Sequence, residues 1–351
     1  MALFTSPPHS ICILRLSAIG DVCNTIATVQ AIQRQWPDTE ITWITGNLEA
    51  KLLEAIDGVD VIVFDKKNGW REYPRLWQQL KGRSFDALLH MQSAFRASVA
   101  TLGIKANYKL GFTTDRSQDF QTLFTDTKVD SPTSLHVADG MMAFAQHVGV
   151  TKHKLSWSLF YDKQHATWAE AHLVAKQNLL IVPGASKTYK NWHAQGYVDV
   201  INHARGAGWN VILAGSPAKV EIDLAEEIQR KLTEPCLNLV GQSSIMQMLA
   251  LIDKVNMVIA PDTGPTHMAN AMQTPVIGLY AHHNPARVGP YSYLNYVVSV
   301  YEEAIFSETG KNSQDLDWRT RVKDKNAMNR IPSSKVIERF NSVADNILNK
   351  K

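Results

Sequence analysis

The sequence predicts an α/β protein of two Rossmann-like, doubly wound parallel-sheet domains facing a central cleft. Three observations carry this expectation. Short apolar runs bounded by Gly, Pro and polar residues alternate with segments of helical spacing, the pattern of parallel strands joined by crossover helices. That pattern lapses over residues 150–177 and restarts at Asn178. A chain of 351 residues also exceeds one ordinary core, so two domains are expected at 1–160 and 175–330, with a C-terminal helix in 331–351.

Residues 11–16 form an apolar run short enough for a buried strand. After the loop 17–21, Val22, Ile26, Val29 and Ile32 recur at helical spacing. Residues 38–45 give a second strand, 59–64 a third and 87–91 a fourth. The second half opens with a strand at 179–182, a loop at 183–192 and a helix through Ala204, and Gly206 and Gly208 then lead into a strand at 210–214. A helix at 217–232, a short strand at 237–240 and a helix at 245–252 precede a strand at 257–260. A loop, a short helix at 268–272 and a strand at 276–280 behind Pro275 complete this unit. Residues 307–330 are polar and read as a surface loop, before Val336, Ile337, Phe340, Val343 and Ile347 restore helical spacing in 333–348.

The composition, 45% hydrophobic and 20% charged, is that of a globular protein. No run approaches the roughly 20 apolar residues of a membrane-spanning helix. With no leader-like N-terminus, the chain is expected in the cytoplasm. Cys12, Cys23 and Cys236 are an odd set without CxxC spacing and read as reduced packing thiols. Net charge is +3 but uneven. Residues 1–65 hold three Lys or Arg against eight Asp or Glu, a net of −5, whereas 66–116 hold ten against three, a net of +7. Such a stretch is either a solvated face or an attractor of polyanions: nucleic acid, an anionic membrane surface or a phosphorylated acceptor.

The densest motif is Asp262-Thr263-Gly264-Pro265-Thr266-His267, between a strand and a helix. Pro265 suits a first helical turn and Gly264 permits close backbone approach, so the helix start either receives an anion such as a diphosphate or is an Asx turn capping a core helix. Asp21, between the first strand and first helix, is either a helix cap or a base for a hydroxyl proton. Pro183-Gly184-Ala185-Ser186 follows a strand, and Lys190 adds a mobile positive charge of the type that neutralises phosphate. His282-His283 lacks a third metal ligand at suitable spacing. Asp315-x-Asp317 lies in the polar tail rather than at a strand end and reads as surface. No GxGxxG follows either first strand, which argues against a dehydrogenase, and the motifs of groove-reading nucleic-acid binders are absent.

Three separated segments resemble glycosyltransferase family 9, the lipopolysaccharide heptosyltransferases. They are Leu14-Arg15-Leu16-Ser17-Ala18-Ile19-Gly20-Asp21, Pro183-Gly184-Ala185-Ser186 with Lys190-Asn191-Trp192, and Asp262 to His267 followed by Thr274-Pro275-Val276-Ile277-Gly278-Leu279-Tyr280. The resemblance implies a GT-B glycosyltransferase that moves heptose from ADP-heptose to the Kdo region of a lipid A-core acceptor. It implies Asp21 as catalytic base, and donor contacts from Ser186, Lys190, Asp262, Thr263, Gly264, Thr266 and His267, with Glu221 near the ribose and base. Lys66, Lys67, Arg96, Arg116 and His136 are the acceptor candidates of the basic half, and for Arg116 and His136 the resemblance implies contact with Kdo. It further implies inversion at the sugar, no metal, no nucleic-acid partner and a peripheral position on the inner face of the cytoplasmic membrane. His193 stands where many members carry proline. The alternatives are a GT-B enzyme using another nucleotide sugar, and a non-catalytic nucleotide-sugar binder.

Overall fold

The computed structural model describes residues 2–349. They divide into two compact units, the first ending at Phe160 and the second beginning at Tyr161.

In the first unit β1 (Ser10–Leu14), α1 (Ile19–Gln35), β2 (Glu40–Thr45), α2 (Asn47–Leu53), β3 (Val59–Val63), α3 (Glu72–Gln79) and β4 (Phe85–His90) alternate as expected. Beyond them lie α4 (Phe95–Ala100), β5 (Ala106–Phe112), β6 (Thr127–Val129) and α5 (Val137–Val148), which the apolar pattern did not announce. The strands form one sheet in the order β3-β2-β1-β4-β5-β6, with every neighbouring pair parallel. β1 at the centre is buried throughout, which is why it reads as an apolar run rather than an alternation. α1 packs against α5, and the thiols of Cys12 and Cys23 are buried in this unit.

The second unit starts with α6 (Lys163–Glu170), packed on α9, and continues through β7 (Asn178–Ile181), α7 (Ala194–Gly206), β8 (Asn210–Gly215), α8 (Lys219–Lys231), β9 (Leu237–Val240), α9 (Ile245–Lys254), β10 (Met257–Pro261), α10 (Gly264–Ala271) and β11 (Val276–Tyr280). It closes with α11 (Pro285–Val288), β12 (Val298–Ser299), α12 (Tyr301–Thr309) and α13 (Ser333–Leu348). Its sheet runs β12-β11-β10-β7-β8-β9, again parallel throughout. Counted from its own first strand, this repeats the order of the first unit, so both are doubly wound sheets in which the strand order reverses beside the first strand.

The expected surface loop at 307–330 is corrected in part. α12 reaches Thr309, and Val322, Ala327 and Met328 are buried in the second core with Val336, Phe340 and Val343 of α13. A few apolar anchors suffice to seat an otherwise polar segment, and polarity averaged over the segment conceals them. No helix among the described residues is long and apolar enough to cross a membrane.

Candidate functional site

In open α/β sheets ligands lie beyond the strand carboxyl ends where the strand order reverses. In the second unit that point falls between β7 and β10, and the Pro183 and Asp262 motifs follow these two strands. Side chains join the two loops. Lys190 Nζ donates to Asp262 Oδ2 at 2.7 Å and to the Asp262 carbonyl at 3.3 Å. His283, from the loop after β11, meets the same Oδ2 through Nδ1 at 2.6 Å. Burial alone would raise the Asp262 carboxyl, but the His283 hydrogen bond and the Lys190 and His283 charges hold it well below the usual carboxylate range. An ionised carboxylate only accepts, so Nδ1 of His283 carries the proton. Both bonds converge on Oδ2, and Oδ1 takes part in neither. The mobile lysine expected from the sequence is instead pinned, its side chain 19% exposed.

The Lys-Asn-Trp group divides its work. Asn191 Oδ1 accepts from the Ala185 amide at 2.8 Å, which shapes the Pro183–Ser186 turn. Trp192 is 1% exposed, donates through Nε1 to the Ile331 carbonyl at 3.0 Å and lies edge-on to Tyr197. A Cβ on Gly196 would stand 2.3 Å from that indole, so only glycine lets α7 approach the ring. His193 caps α7, its Nδ1 accepting from the Gly196 amide at 2.9 Å. Burial lowers its pKa and favours the neutral ring that this bond needs. The cap therefore contributes stability above the free-histidine pKa of roughly 6.5, and loses it as pH falls through the lower folded value.

α10 begins at Gly264 behind Thr263, whose side chain makes no capping bond, and Pro265 occupies its first turn. Pro265 has no N–H and the Thr266 amide donates to the Thr263 carbonyl at 3.2 Å, so Gly264 supplies the first amide of α10, at the positive end of the helix dipole and directly after Asp262 and Thr263. Thr266, expected as a donor contact, is corrected: its hydroxyl is buried and donates to the Pro261 carbonyl at 2.6 Å, fastening α10 to β10. His267 is 8% exposed inside α10. Ser186 is exposed on its turn. Glu221 is buried and accepts from the Ser216 amide at 2.9 Å and the Ser216 hydroxyl at 2.5 Å, stiffening the loop after β8. Gly184 and Gly215 make room for it, since a Cβ on Gly184 would lie 2.5 Å from Glu221 Cγ and one on Gly215 2.8 Å from Oε2. Gly184→Ala is therefore expected to destabilise the second unit by about 1–3 kcal/mol, read as a lower urea midpoint.

In the first unit the strand order reverses between β1 and β4. Arg15, 8% exposed, bridges the two strand ends by donating through NH1 to the Met91 carbonyl at 2.5 Å, while NH2 pairs with Asp21 Oδ2. Gln92 Oε1 accepts from the Leu16 and Ser17 amides at 2.5 and 3.2 Å. α1 begins at Ile19, so Asp21 stands on the helix rather than ahead of it, and Oδ2 also accepts from the Ala18 amide at 3.3 Å. Asp21 caps α1 and is a partly exposed carboxylate at the strand end, its side chain 35% exposed.

Lys66, after β3, lies in the field of Glu49, Arg96 and Arg15. Burial lowers its pKa, Glu49 opposes that, and the two arginines add to it. Burial likewise pushes the Glu49 carboxyl up against the pull of Lys66 and Arg15. Lys67 is exposed, its amide donating to Asp65 Oδ1 in the same turn. Arg116 and His136 form a neighbouring cluster. The Arg116 guanidinium donates to the Ser134 carbonyl and, at 3.4 Å, to the His136 carbonyl, while His136 caps α5 by accepting from the Ala138 amide. Ser93, just past β4, donates to the Arg116 carbonyl at 3.4 Å and ties this cluster to the same sheet end. Arg15, Glu49 and Gln92 had no role legible in the sequence, and His283 was legible only as part of the loop after β11, not as the partner of Asp262. A buried-type strand that ends on an arginine was the one available signal.

Among the described residues no group of three or more His, Cys, Asp or Glu is placed to hold a metal ion. His282 faces two backbone carbonyls, those of Val322 and Tyr189, and Asp317 pairs with Arg319 at the surface.

Residues 73–316 match glycosyltransferase family 9 (heptosyltransferase). The chain is 47% identical over 338 residues to the lipopolysaccharide core heptosyltransferase OpsX of Haemophilus influenzae, covering 96% of this chain and 97% of that one. In fold it is similar to a family 9 glycosyl transferase from Veillonella parvula, with a TM-score of 0.78 at 19% identity over 99% of both chains. It is also similar to the Escherichia coli heptosyltransferase WaaC solved with ADP, with a TM-score of 0.73 at 16% identity over 95% of this chain and 99% of that one. Two parallel doubly wound sheets of GT-B type, with the family's motifs at both points of strand-order reversal, accompany these matches, and the chain belongs to glycosyltransferase family 9 (heptosyltransferase), a family of glycosyl-transferring enzymes.

Proposed function

We propose that the protein transfers heptose from ADP-heptose to the Kdo region of a lipid A-core acceptor, without a metal and with inversion, at the inner face of the cytoplasmic membrane. The observation that carries this reading is the pairing of Lys190 with Asp262 beside the uncapped start of α10. A lysine ammonium and the positive end of the α10 dipole at Gly264 supply the positive charge that a metal would otherwise bring to a departing diphosphate. When the donor binds, Lys190 turns from Asp262 toward the β-phosphate, and Asp262 Oδ1 meets sugar hydroxyls.

In the transfer step Asp21 takes the proton of the acceptor hydroxyl. That oxygen bonds to the anomeric carbon from the face opposite the nucleotide, and the bond to the β-phosphate oxygen breaks with its electron pair leaving on ADP. Arg15 and the Ala18 amide both hold Oδ2, which fixes the carboxylate plane and leaves Oδ1 to receive the proton. Lys66, Arg96, Arg116 and the +7 balance of residues 66–116 suit an acceptor bearing carboxylates and phosphates.

Calorimetric titration tests the donor half. ADP is expected to bind in EDTA as tightly as in magnesium, and more tightly than UDP or GDP. An absolute magnesium requirement or a preference for UDP would contradict it.

A further inference from the structure

Around the carboxyl end of the first sheet, large apolar side chains stand in water where a folded domain would ordinarily bury them. Phe120 is 71% exposed, Leu123 78%, Trp70 71% and Phe95 47%. They are contiguous. Trp70 rests on Tyr73 at 5.3 Å, and the Tyr73 hydroxyl donates to the Arg96 carbonyl at 3.1 Å. Next to Arg96, Phe95 meets Phe124 edge-on at 6.2 Å, and its amide donates to Asp119 Oδ2 at 3.3 Å, directly before Phe120.

The display is built rather than loose. Gln121, fully buried between the exposed Phe120 and Leu123, accepts from the Phe112 amide at 3.2 Å and donates to the His90 carbonyl at 2.8 Å. Asp119 and Phe120 hold left-handed backbone at φ 50° and 60°, which side-chain-bearing residues seldom adopt. Gln121 also reaches the carbonyl of Gln92, whose side chain receives the amides before Asp21, so the apolar rim is two hydrogen bonds from the Asp21 loop.

Cations frame the rim: Lys67, Arg71 and Arg75 flank Trp70, and Arg96 follows Phe95, all exposed. Aromatic and leucine side chains set among Lys and Arg match the headgroup layer of an anionic bilayer, where rings enter the interface and cations meet lipid phosphates. Taking the lipid-linked acceptor proposed above, we infer that this rim of the first unit, Trp70, Phe95, Phe120 and Leu123 with their basic frame, seats on an anionic membrane surface. It brings the Asp21 loop to the depth at which a membrane-anchored sugar emerges.

The test is co-sedimentation of the full chain with phosphatidylglycerol–phosphatidylcholine vesicles and with pure phosphatidylcholine vesicles, beside transfer to a deacylated, water-soluble acceptor. Wild type is expected to bind the anionic vesicles and to be released by salt. The Phe120→Asn/Leu123→Ser pair, in which Asn tolerates the left-handed backbone, is expected to weaken vesicle binding by about tenfold or more. Transfer to the soluble acceptor stays unchanged. Trp70→Ser, on a separate element, repeats the test should the pair misfold. Wild-type-like vesicle binding by both variants overturns the inference, as does equal binding to neutral vesicles. A shift from dimer to monomer with vesicle binding intact would assign the rim to a second copy and overturn it too. Vesicle binding that follows the variants while no acceptor is glycosylated would uphold the docking surface and sink the proposed transfer instead.

Discussion

Asp21→Asn is expected to cut kcat by about 10²–10⁴-fold, the range for losing a general base, with ADP affinity unchanged. Asparagine keeps the shape of the side chain and an oxygen that can accept from the Ala18 amide, so the start of α1 survives. What it loses is the ability to hold a proton at Oδ1. Arg15 loses a charged partner but keeps the Met91 carbonyl, and the partly exposed pair leaves a stability cost of about 1 kcal/mol or less. Asp21→Ala removes the cap as well and is expected to cost a further roughly 0.5–2 kcal/mol. The pair of variants separates the two roles of the residue. Asn as active as wild type, with Ala merely unstable, would reduce Asp21 to a helix cap. Steady-state kinetics and urea unfolding on both proteins decide it.

Lys190→Met is expected to weaken ADP binding by about 10–100-fold, the worth of a charge-assisted hydrogen bond of roughly 1.5–3 kcal/mol. Methionine retains the stem and loses the ammonium. Asp262 then keeps only His283, and its carboxyl rises as one of the charges holding it down is removed. Folding also suffers, because Lys190 and Asp262 join the two loops that follow β7 and β10. The discriminating readout is therefore the ratio of ADP to adenosine affinity. A phosphate contact predicts that ADP loses its advantage over adenosine. A purely structural tie predicts that both weaken together, and that result would remove Lys190 from the donor site.

Both sheets were legible in the sequence because parallel strands buried on two faces leave apolar runs: β1, β7 and β10 are buried throughout. β5 escaped notice because its first half, Ala106 to Lys109, is only partly covered, and β6 is three residues long at the sheet edge. The order of strands was not legible, since it depends on which crossovers pack, yet it is what places the Pro183 and Asp262 motifs side by side. Motif positions at strand ends were readable; the bonds between motifs were not. Arg15 reaching Met91 spans 76 residues and Lys190 reaching Asp262 spans 72, distances at which spacing carries no signal. Thr266 shows the opposite failure. Its place in the motif suggested a ligand contact, whereas its hydroxyl serves the fold.

The most direct measurement is transfer by the purified protein, in EDTA, from ADP-heptose to a heptose-deficient Kdo-lipid A acceptor, with UDP- and GDP-sugars alongside and the product followed by mass spectrometry. The expected result is a gain of one heptose with the ADP donor alone, lost in Asp21→Asn. Folded protein that binds ADP yet leaves the acceptor mass unchanged, or transfer from a UDP- or GDP-sugar instead, would contradict it.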